Sequence, residues 1–355
     1  MKDSEFVKFY KDEIENIDLV KKFEDELKLK FNSKYAVACS SGTAAIHCAL
    51  LALGIRPGDE VIVPNLTVIM TIMPLLYIGA IPVFVDCDKD NIDFDYNDLE
   101  TKITDKTKAI IIVYMWGLPY NIPRLKNIAK KYKLKIIEDA CQAQGSRYRN
   151  KYLGTLGDMG CFSLKDGKLV SSGEGGYILT NNKKYYSKLV NLRNHQISQN
   201  PNNSFKDVGY NYRLTNIQAF LALKSLKNID ISLSHRKSIC NKFYEEISCM
   251  DNLSKLQCNS NYFSPLLLFK NNSLDKIKSL SKKKVINSVG SFGLRPVSER
   301  LSIKKYLKTV GYNYKIKTSN CKKLLNRLLA IAINNNYNDI KVDTDIKEIK
   351  GVINE

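Results

Sequence analysis

The sequence predicts an α/β fold: a mostly parallel, mixed sheet between helices in a large first part, then a smaller α+β part at the C-terminus. Three observations predict it. Short apolar runs alternate with helix-like stretches from Tyr35 to Thr180. These runs end in small, acidic or proline residues, as strands do when they empty into loops. The chain has 355 residues, 44% of them hydrophobic, which suits one large core and a smaller one and argues against disorder.

Residues 1–34 read as charged amphipathic helix, with Phe23 and Leu27 four apart on one face. Tyr35–Ala38 is a short strand. Cys39-Ser40-Ser41-Gly42-Thr43 joins it to an Ala/Leu-rich helix, Ala44–Leu53. Small residues at such a junction leave backbone N–H groups exposed at a helix N-terminus, which suits a phosphate. After the turn Pro57-Gly58-Asp59 come the strand Glu60–Val63, closed by Pro64, and a helix, Leu66–Ile78, broken near Pro74. Ile81–Val85 is a strand ending at Asp86, Tyr96–Ile103 a helix, and Ala109–Val113 a strand leading to Tyr114-Met115-Trp116-Gly117. Pro123–Tyr132 is a helix with proline in its first turn, and Leu134–Ile137 a strand ending in Glu138-Asp139. Right-handed crossovers put the ends of parallel strands on one edge, where ligands collect, so Ser41-Gly42-Thr43, Trp116 and Asp139 should converge.

Further on, Gly173-Glu174-Gly175-Gly176 turns into the strand Tyr177–Thr180. Lys183–Asn194 is helical, Gln196–Lys206 a polar surface loop, and Thr215 caps the helix Asn216–Leu226. A boundary near Asn228–Ser234 divides a large domain, 1–230, from a small one, 231–355, on which the N-terminal helix can pack. The small domain carries short apolar runs at Tyr262–Phe269 and Leu324–Ile333.

The formal net charge is +19. Its lysines are spread along the whole chain, Asn and Ile are also abundant, and no groove-binding motif is present. The charge therefore reads as a compositional bias, and no nucleic-acid partner is expected. A positive field still favours anionic small substrates. The nine cysteines are scattered without a CxxC pair, and there are three histidines. This points to reduced thiols and argues against a disulfide or zinc framework and a histidine-based metal site. No apolar run reaches membrane-spanning length and the N-terminus is too charged for a secretory signal, so a soluble, cytoplasmic protein is expected.

One stretch organises the rest: Gly160 to Gly176, GCFSLKDGKLVSSGEGG. It places lysines, Lys165 and Lys168, before a glycine-rich turn, shortly after the strand-end acids Glu138-Asp139. A lysine able to form a Schiff base, with an aspartate delivered by a strand end, is what a pyridoxal phosphate (PLP) enzyme needs. The glycines let the lysine-bearing loop turn tightly.

Six segments extend this reading: VACSSGTAAIHCALLALGIRPGDEVIVP, GAIPVFVD, KTKAIIIVYMWGLP, IIEDACQAQGSRY, GTLGDMGCFSLKDGKLVSSGEGGYILT and DVGYNYRLTNIQA. In this order, over roughly residues 20–230, they resemble the DegT/DnrJ/EryC1/StrS sugar aminotransferases, PLP enzymes of fold type I. The final third matches poorly. The resemblance implies that Lys168 holds PLP as an internal aldimine and then moves a proton between Cα and C4′; Lys165 falls where the family places no nucleophile. It implies that Asp139 pairs with the pyridine nitrogen, Gln142 with the 3′-oxygen, and that Cys141 packs on the ring. Ser163 and the Gly42/Thr43 backbone would hold the phosphate. Asn211, in GYNYR, would reach the phosphate of a neighbouring subunit, which makes the expected assembly a homodimer with a shared site. Val68, in PNLTV, stands where the family has a ring-stacking aromatic, and Tyr114 and Gln144 stand where histidine is common, around the cofactor and substrate entrance.

The expected activity is transfer of an amino group from glutamate or glutamine to a nucleotide-linked keto-deoxysugar, for a surface polysaccharide or a glycosylated metabolite. The retained lysine favours this over the family's dehydratases, which carry histidine there. Two alternatives stand beside it: the same reaction on a small phosphorylated or cyclitol ketone, and a non-catalytic fold-type-I regulatory protein.

Overall fold

The computed structural model describes residues 8, 11–15, 18–197, 207–247, 253–255, 262–285, 295–312, 315–331, 333 and 337–354. The main sheet contains β1 (Tyr35–Cys39), β2 (Glu60–Pro64), β3 (Ile81–Val85), β4 (Thr107–Val113) and β5 (Lys135–Asp139). After a short hairpin of β6 (Arg147–Tyr148) and β7 (Lys151–Tyr152), it is completed by β8 (Met159–Ser163) and β9 (Gly176–Thr180). The seven strands run in the order β1-β9-β8-β5-β4-β2-β3. All are parallel except β9, which is antiparallel to both neighbours.

Side-chain alternation feeds two cores. Val61, Val63, Ala109, Ile111 and Val113 enter one; Ile62, Ile110 and Ile112 enter the other. Both faces are covered, so these strands read as continuous apolar runs. β8 (MGCFS) is buried throughout yet escapes sequence reading, because its small and polar residues show neither alternation nor β-branching.

The helices of the first part are α1 (Leu19–Phe31), α2 (Gly42–Leu53), α3 (Ile69–Ile78), α4 (Tyr96–Glu100), α5 (Ile122–Lys131), α6 (Lys183–Leu192) and α7 (Asn216–Lys227). Two differ from expectation. α3 begins at Ile69, with Val68 extended as its N-cap, and runs through Pro74 unbroken. Proline removes only the bond to the Met70 carbonyl, and burial of Thr71, Ile72 and Leu75 around it holds the helix together. α4 is only five residues long, shorter than the expected Tyr96–Ile103. Glu24 of α1 accepts from Ala38 N (2.9 Å) and pairs with Arg193, which also donates to Ala38 O (2.6 Å). These bonds lock α1, β1 and the end of α6 together.

Beyond lies α8 (Ile229–Ile247), then an antiparallel sheet of β10 (Leu253–Lys255), β11 (Leu266–Phe269) and β12 (Leu328–Ala330), with α9 (Leu274–Lys282), α10 (Leu301–Thr309), α11 (Ser319–Leu325) and α12 (Asp339–Asn354). Leu267, Phe269 and Leu329 pack into a third core with Phe243 and Ile346, whereas Leu266, Leu268 and Leu328 join the first core of the main sheet. Asp86, at the end of β3, caps α11 by accepting from Asn320 N (3.0 Å) and Cys321 N (2.9 Å). From residue 198 onward the expected loop Gln196–Lys206 lies outside the described residues. Among the described residues no helix is long and apolar enough to cross a membrane.

Candidate active site

The C-terminal ends of the parallel strands surround a cavity of about 370 Å³, within the usual range for ligand clefts. The loop after β1 supplies Ser41, Gly42 and Thr43, and the turn after β2 supplies Val68. Tyr114 and Trp116 follow β4, Asp139, Cys141 and Gln142 end and follow β5, and Ser163 to Lys168 end and follow β8. The expected convergence of Ser41-Gly42-Thr43, Trp116 and Asp139 is therefore observed. A second cleft, beside Thr104, Asp105 and Lys108, gathers no strand-end acid.

Asp139 is buried, at 4% exposure. Its Oδ2 accepts from Thr71 Oγ1 (2.8 Å) and its Oδ1 from Cys141 N (3.2 Å). Thr71 in turn shares a hydrogen bond with Thr67 (3.0 Å). The carboxylate is thus aimed by α3 as well as by its own strand. Burial pushes the Cys141 thiol far above its ordinary range, so it stays protonated as a packing group.

Lys168 is half-buried and Lys165 exposed. Burial lowers the pKa of the Lys168 amine, opposed by the Asp139 carboxylate and assisted more weakly by Lys165 and, least, by Arg236. The loop carrying both lysines is held at its base by Gln144. This buried side chain donates to Ser163 O (3.0 Å) and Val170 O (3.2 Å) and accepts from Val170 N (2.9 Å). Gln144 therefore lies beneath the loop and is absent from the cavity lining, contrary to its expected place at the entrance. Two glycines of the turn serve by conformation, Gly173 (φ 82°) and Gly175 (φ 140°). Gly176 serves by closeness, since a Cβ there would meet Ser41 O at 2.4 Å.

At the other end of the cavity Ser41 caps α2, accepting from Ala44 N (3.0 Å). A Cβ on Gly42 would lie 2.9 Å from both Cys141 Sγ and Ser163 Cβ, so only glycine brings this helix end against β8. Gly42, Thr43 and Ser163 therefore share one corner, with the positive end of α2 behind them. Gln142 Oε1 accepts from Trp116 N (2.7 Å). Trp116 itself is buried with φ at 54°, a left-handed conformation costly for a bulky side chain. Tyr114 is fully buried and spends its hydroxyl on Glu138 (2.6 Å).

Asn211 stands apart from the cavity of its own chain. It is exposed and bridges to Asn194. Its neighbours Tyr210 and Tyr212 stack on each other (5.1 Å between centroids) and pack on His47, whose Nδ1 lies 3.1 Å from Tyr212 Oη. The flanking tyrosines thus turn inward and Asn211 outward.

Two residues escaped sequence reasoning. Phe263 lines the cavity, and the buried Arg236 of α8 reaches the Lys168 loop. Both come from the part where the chain resembles the family poorly, so no motif marked them. A fully buried arginine leaves no trace in a Lys-rich helix pattern.

Similarity to known proteins agrees with this geometry. A GDP-perosamine synthase of Escherichia coli O157:H7 is 39% identical over 236 residues, covering 66% of this chain and 65% of the relative's own length. An uncharacterized protein of Methanocaldococcus jannaschii is 31% identical, covering 94% of this chain and 90% of that one. The crystal structure of an aminotransferase from Psychrobacter cryohalolentis superposes with a TM-score of 0.85 at 25% identity, covering 99% of this chain and 96% of that one. With residues 10–344 matching its pattern, the chain belongs to the DegT/DnrJ/EryC1/StrS aminotransferase family.

Proposed function

We propose that the protein is a PLP-dependent aminotransferase that moves an amino group from glutamate or glutamine to a nucleotide-linked keto-sugar. The observation that carries this reading is a desolvated lysine amine and a buried strand-end carboxylate on one cavity that also has a helix N-terminus. Those donors fit PLP in kind: an anion corner for its phosphate, an acid for its pyridine nitrogen, and an amine for its aldehyde. Bound there, PLP supplies an electron-accepting ring for the pair released at the substrate carbon.

The remaining chemistry falls to side chains. A lowered pKa leaves more of Lys168 neutral near pH 7, ready to bond the aldehyde and then to take and return a proton at the substrate carbon. Asp139, held by Thr71 and Cys141 N, would keep the ring nitrogen protonated. Ser163 and the N–H groups of Gly42 and Thr43 bind the phosphate. The Oε1 of Gln142 is engaged by Trp116 N, so Nε2 is the end that serves the 3′-oxygen. Val68, on the cavity wall, would offer the ring aliphatic contact in place of stacking.

The outward-facing Asn211 supports a homodimer in which it completes the partner's phosphate site. A GDP-linked sugar in the name of the E. coli relative supports a nucleotide-linked substrate. A small phosphorylated or cyclitol ketone is the second reading. It is favoured by Phe263, which brings the poorly matching part of the chain to the cavity wall. We also take 1–230 and 231–355 as large and small domains, supported by the separate third core, and place the protein in the cytoplasm.

The test uses the purified protein with PLP, a glutamate or glutamine donor, and a panel of keto-substrates including a nucleotide-diphosphate ketosugar and a simple ketone phosphate. Lys168→Ala should lose at least about 10³-fold in amino transfer and lose borohydride-stable labelling at that residue. Amino transfer that survives the substitution intact sinks the proposal. Turnover on the ketone phosphate alone selects the second reading.

A further inference from the structure

Arg236 is among the largest fully buried side chains, at 0% exposure. It projects from α8 to the Lys168 loop, where its Nη2 donates to the carbonyl of Gly167 (2.9 Å). Gly167 precedes Lys168 directly and adopts φ 85°. A Cβ there would touch nothing within 4 Å, so this glycine is needed for its backbone conformation alone. The turn is tightened by Lys168 N donating to Lys165 O (3.1 Å). Both cations lie over one ring: the Phe263 centroid is 5.2 Å from Lys168 Nζ and 5.7 Å from Arg236 Cζ. Burying a guanidinium costs several kcal/mol unless its surroundings compensate. A merely structural anchor for α8 could be apolar, whereas this one carries charge to the base of the reactive lysine.

We infer that Arg236 is a positioning residue for Lys168, fixing the Gly167 carbonyl so that the lysine leaves its loop toward Phe263 and the cavity, and bringing a buried positive charge to that loop. This rests on the proposed PLP chemistry at Lys168. The charge favours the neutral amine, the form that attacks an aldehyde. Burial lowers Arg236 itself to about 10, so it stays charged near neutrality. The other groups facing Lys168 are Asp139 from β5, Cys141 after it, and Lys165 on the loop itself, with Asp166 and Glu174 also on the cavity wall. Among these, Arg236 is the cation that helix packing holds in place, whereas Lys165 is exposed.

Two substitutions separate charge from geometry. Arg236→Gln removes the charge and, ending two bonds short of Nη2, also the bond to Gly167 O. Arg236→Lys keeps the charge and removes the planar fork. Each PLP-free protein, checked by its thermal melt, is mixed with PLP across neutral to alkaline pH. Capture joins the Lys168 nitrogen to the aldehyde carbon with loss of one water, and borohydride reduces the new bond for mass analysis. In R236Q the protonated amine is no longer opposed by this cation, so the capture midpoint moves to higher pH than in R236K. In R236K the midpoint stays near that of the unsubstituted protein, and capture slows by about three- to tenfold. An unshifted midpoint in R236Q, or an unchanged rate in R236K, overturns the inference. If R236Q does not fold, the R236K rate decides alone. Failure of the unsubstituted protein to capture PLP at Lys168 would instead overturn the functional reading on which the inference rests.

Discussion

Glu138 and Asp139 are neighbours at the end of β5, and strand alternation turns them to opposite faces of the sheet. On the Glu138 face the carboxylate is saturated. It accepts from Tyr114 Oη (2.6 Å), Gly154 N (2.8 Å), Leu156 N (2.7 Å) and Gly157 N (2.5 Å). Burial pushes its pKa up and these donors pull it back, leaving it raised. On the Asp139 face Thr71 and Cys141 donate, and the carboxylate borders the cavity. The residue chemistry is the same and so is the strand. What separates a structural acid from one open to a ligand is acceptor capacity directed at a space a ligand can fill. Tyr114, where the family often has histidine, belongs by its hydroxyl to the structural face.

Asp139→Asn is the larger break. It keeps the shape, with Oδ1 accepting from Cys141 N and the NH₂ donating to Thr71 Oγ1, but removes the charge proposed to hold a ring proton. Amino transfer should fall by about 10² or more, while the melting temperature moves little. Steady-state turnover beside a thermal melt checks it; near-normal turnover would mean the faces are not divided as described. Glu138→Gln should do the reverse. An amide turns an NH₂ toward backbone donors, costing about 2–3 kcal/mol for the groups left unmatched. The melt should drop by about 3–4 °C, while PLP capture at Lys168 in the folded protein continues. Loss of capture in a folded E138Q protein would tie the two faces together.

The Asp139 face was legible because its parts are local. A strand-end acid, a Ser-Gly helix start and a lysine before glycines are each written within a few residues, and parallel topology brings strand ends together. The expected convergence followed from that rule. Asn211 was legible as a motif residue, but its place outside the cavity of its own chain depends on Tyr210 and Tyr212 packing on His47, a contact made across the fold. Gln144 was misplaced for a related reason. Three residues after Cys141, it turns under the Lys168 loop because Ser163 and Val170 need its carboxamide, and only β8 and the returning loop supply that demand. Pro74 was read as a break, yet packing outweighed one lost hydrogen bond. Arg236 and Phe263 were invisible, since nothing in a lysine-rich sequence marks which basic residue will be enclosed.

The smallest expected effect concerns Val68, on the Asp139 side at the start of α3. It is half-buried and lines the cavity where the family resemblance calls for an aromatic. Val68 is extended, with φ −86° and ψ 152°, a conformation that phenylalanine adopts readily, so Val68→Phe needs no change of backbone. A ring stacked on the cofactor should add about 1 kcal/mol, or roughly fivefold tighter PLP retention. Equilibrium dialysis of PLP against the substituted and unsubstituted proteins reads this directly. Weaker retention would carry its own information. Trp116, buried on the same wall in its left-handed conformation, would then already fill the space above the ring, and the added phenyl group would compete with it. In that case the bulky residue's costly backbone has a use: it supplies from the β4 side the aromatic surface that the α3 side lacks.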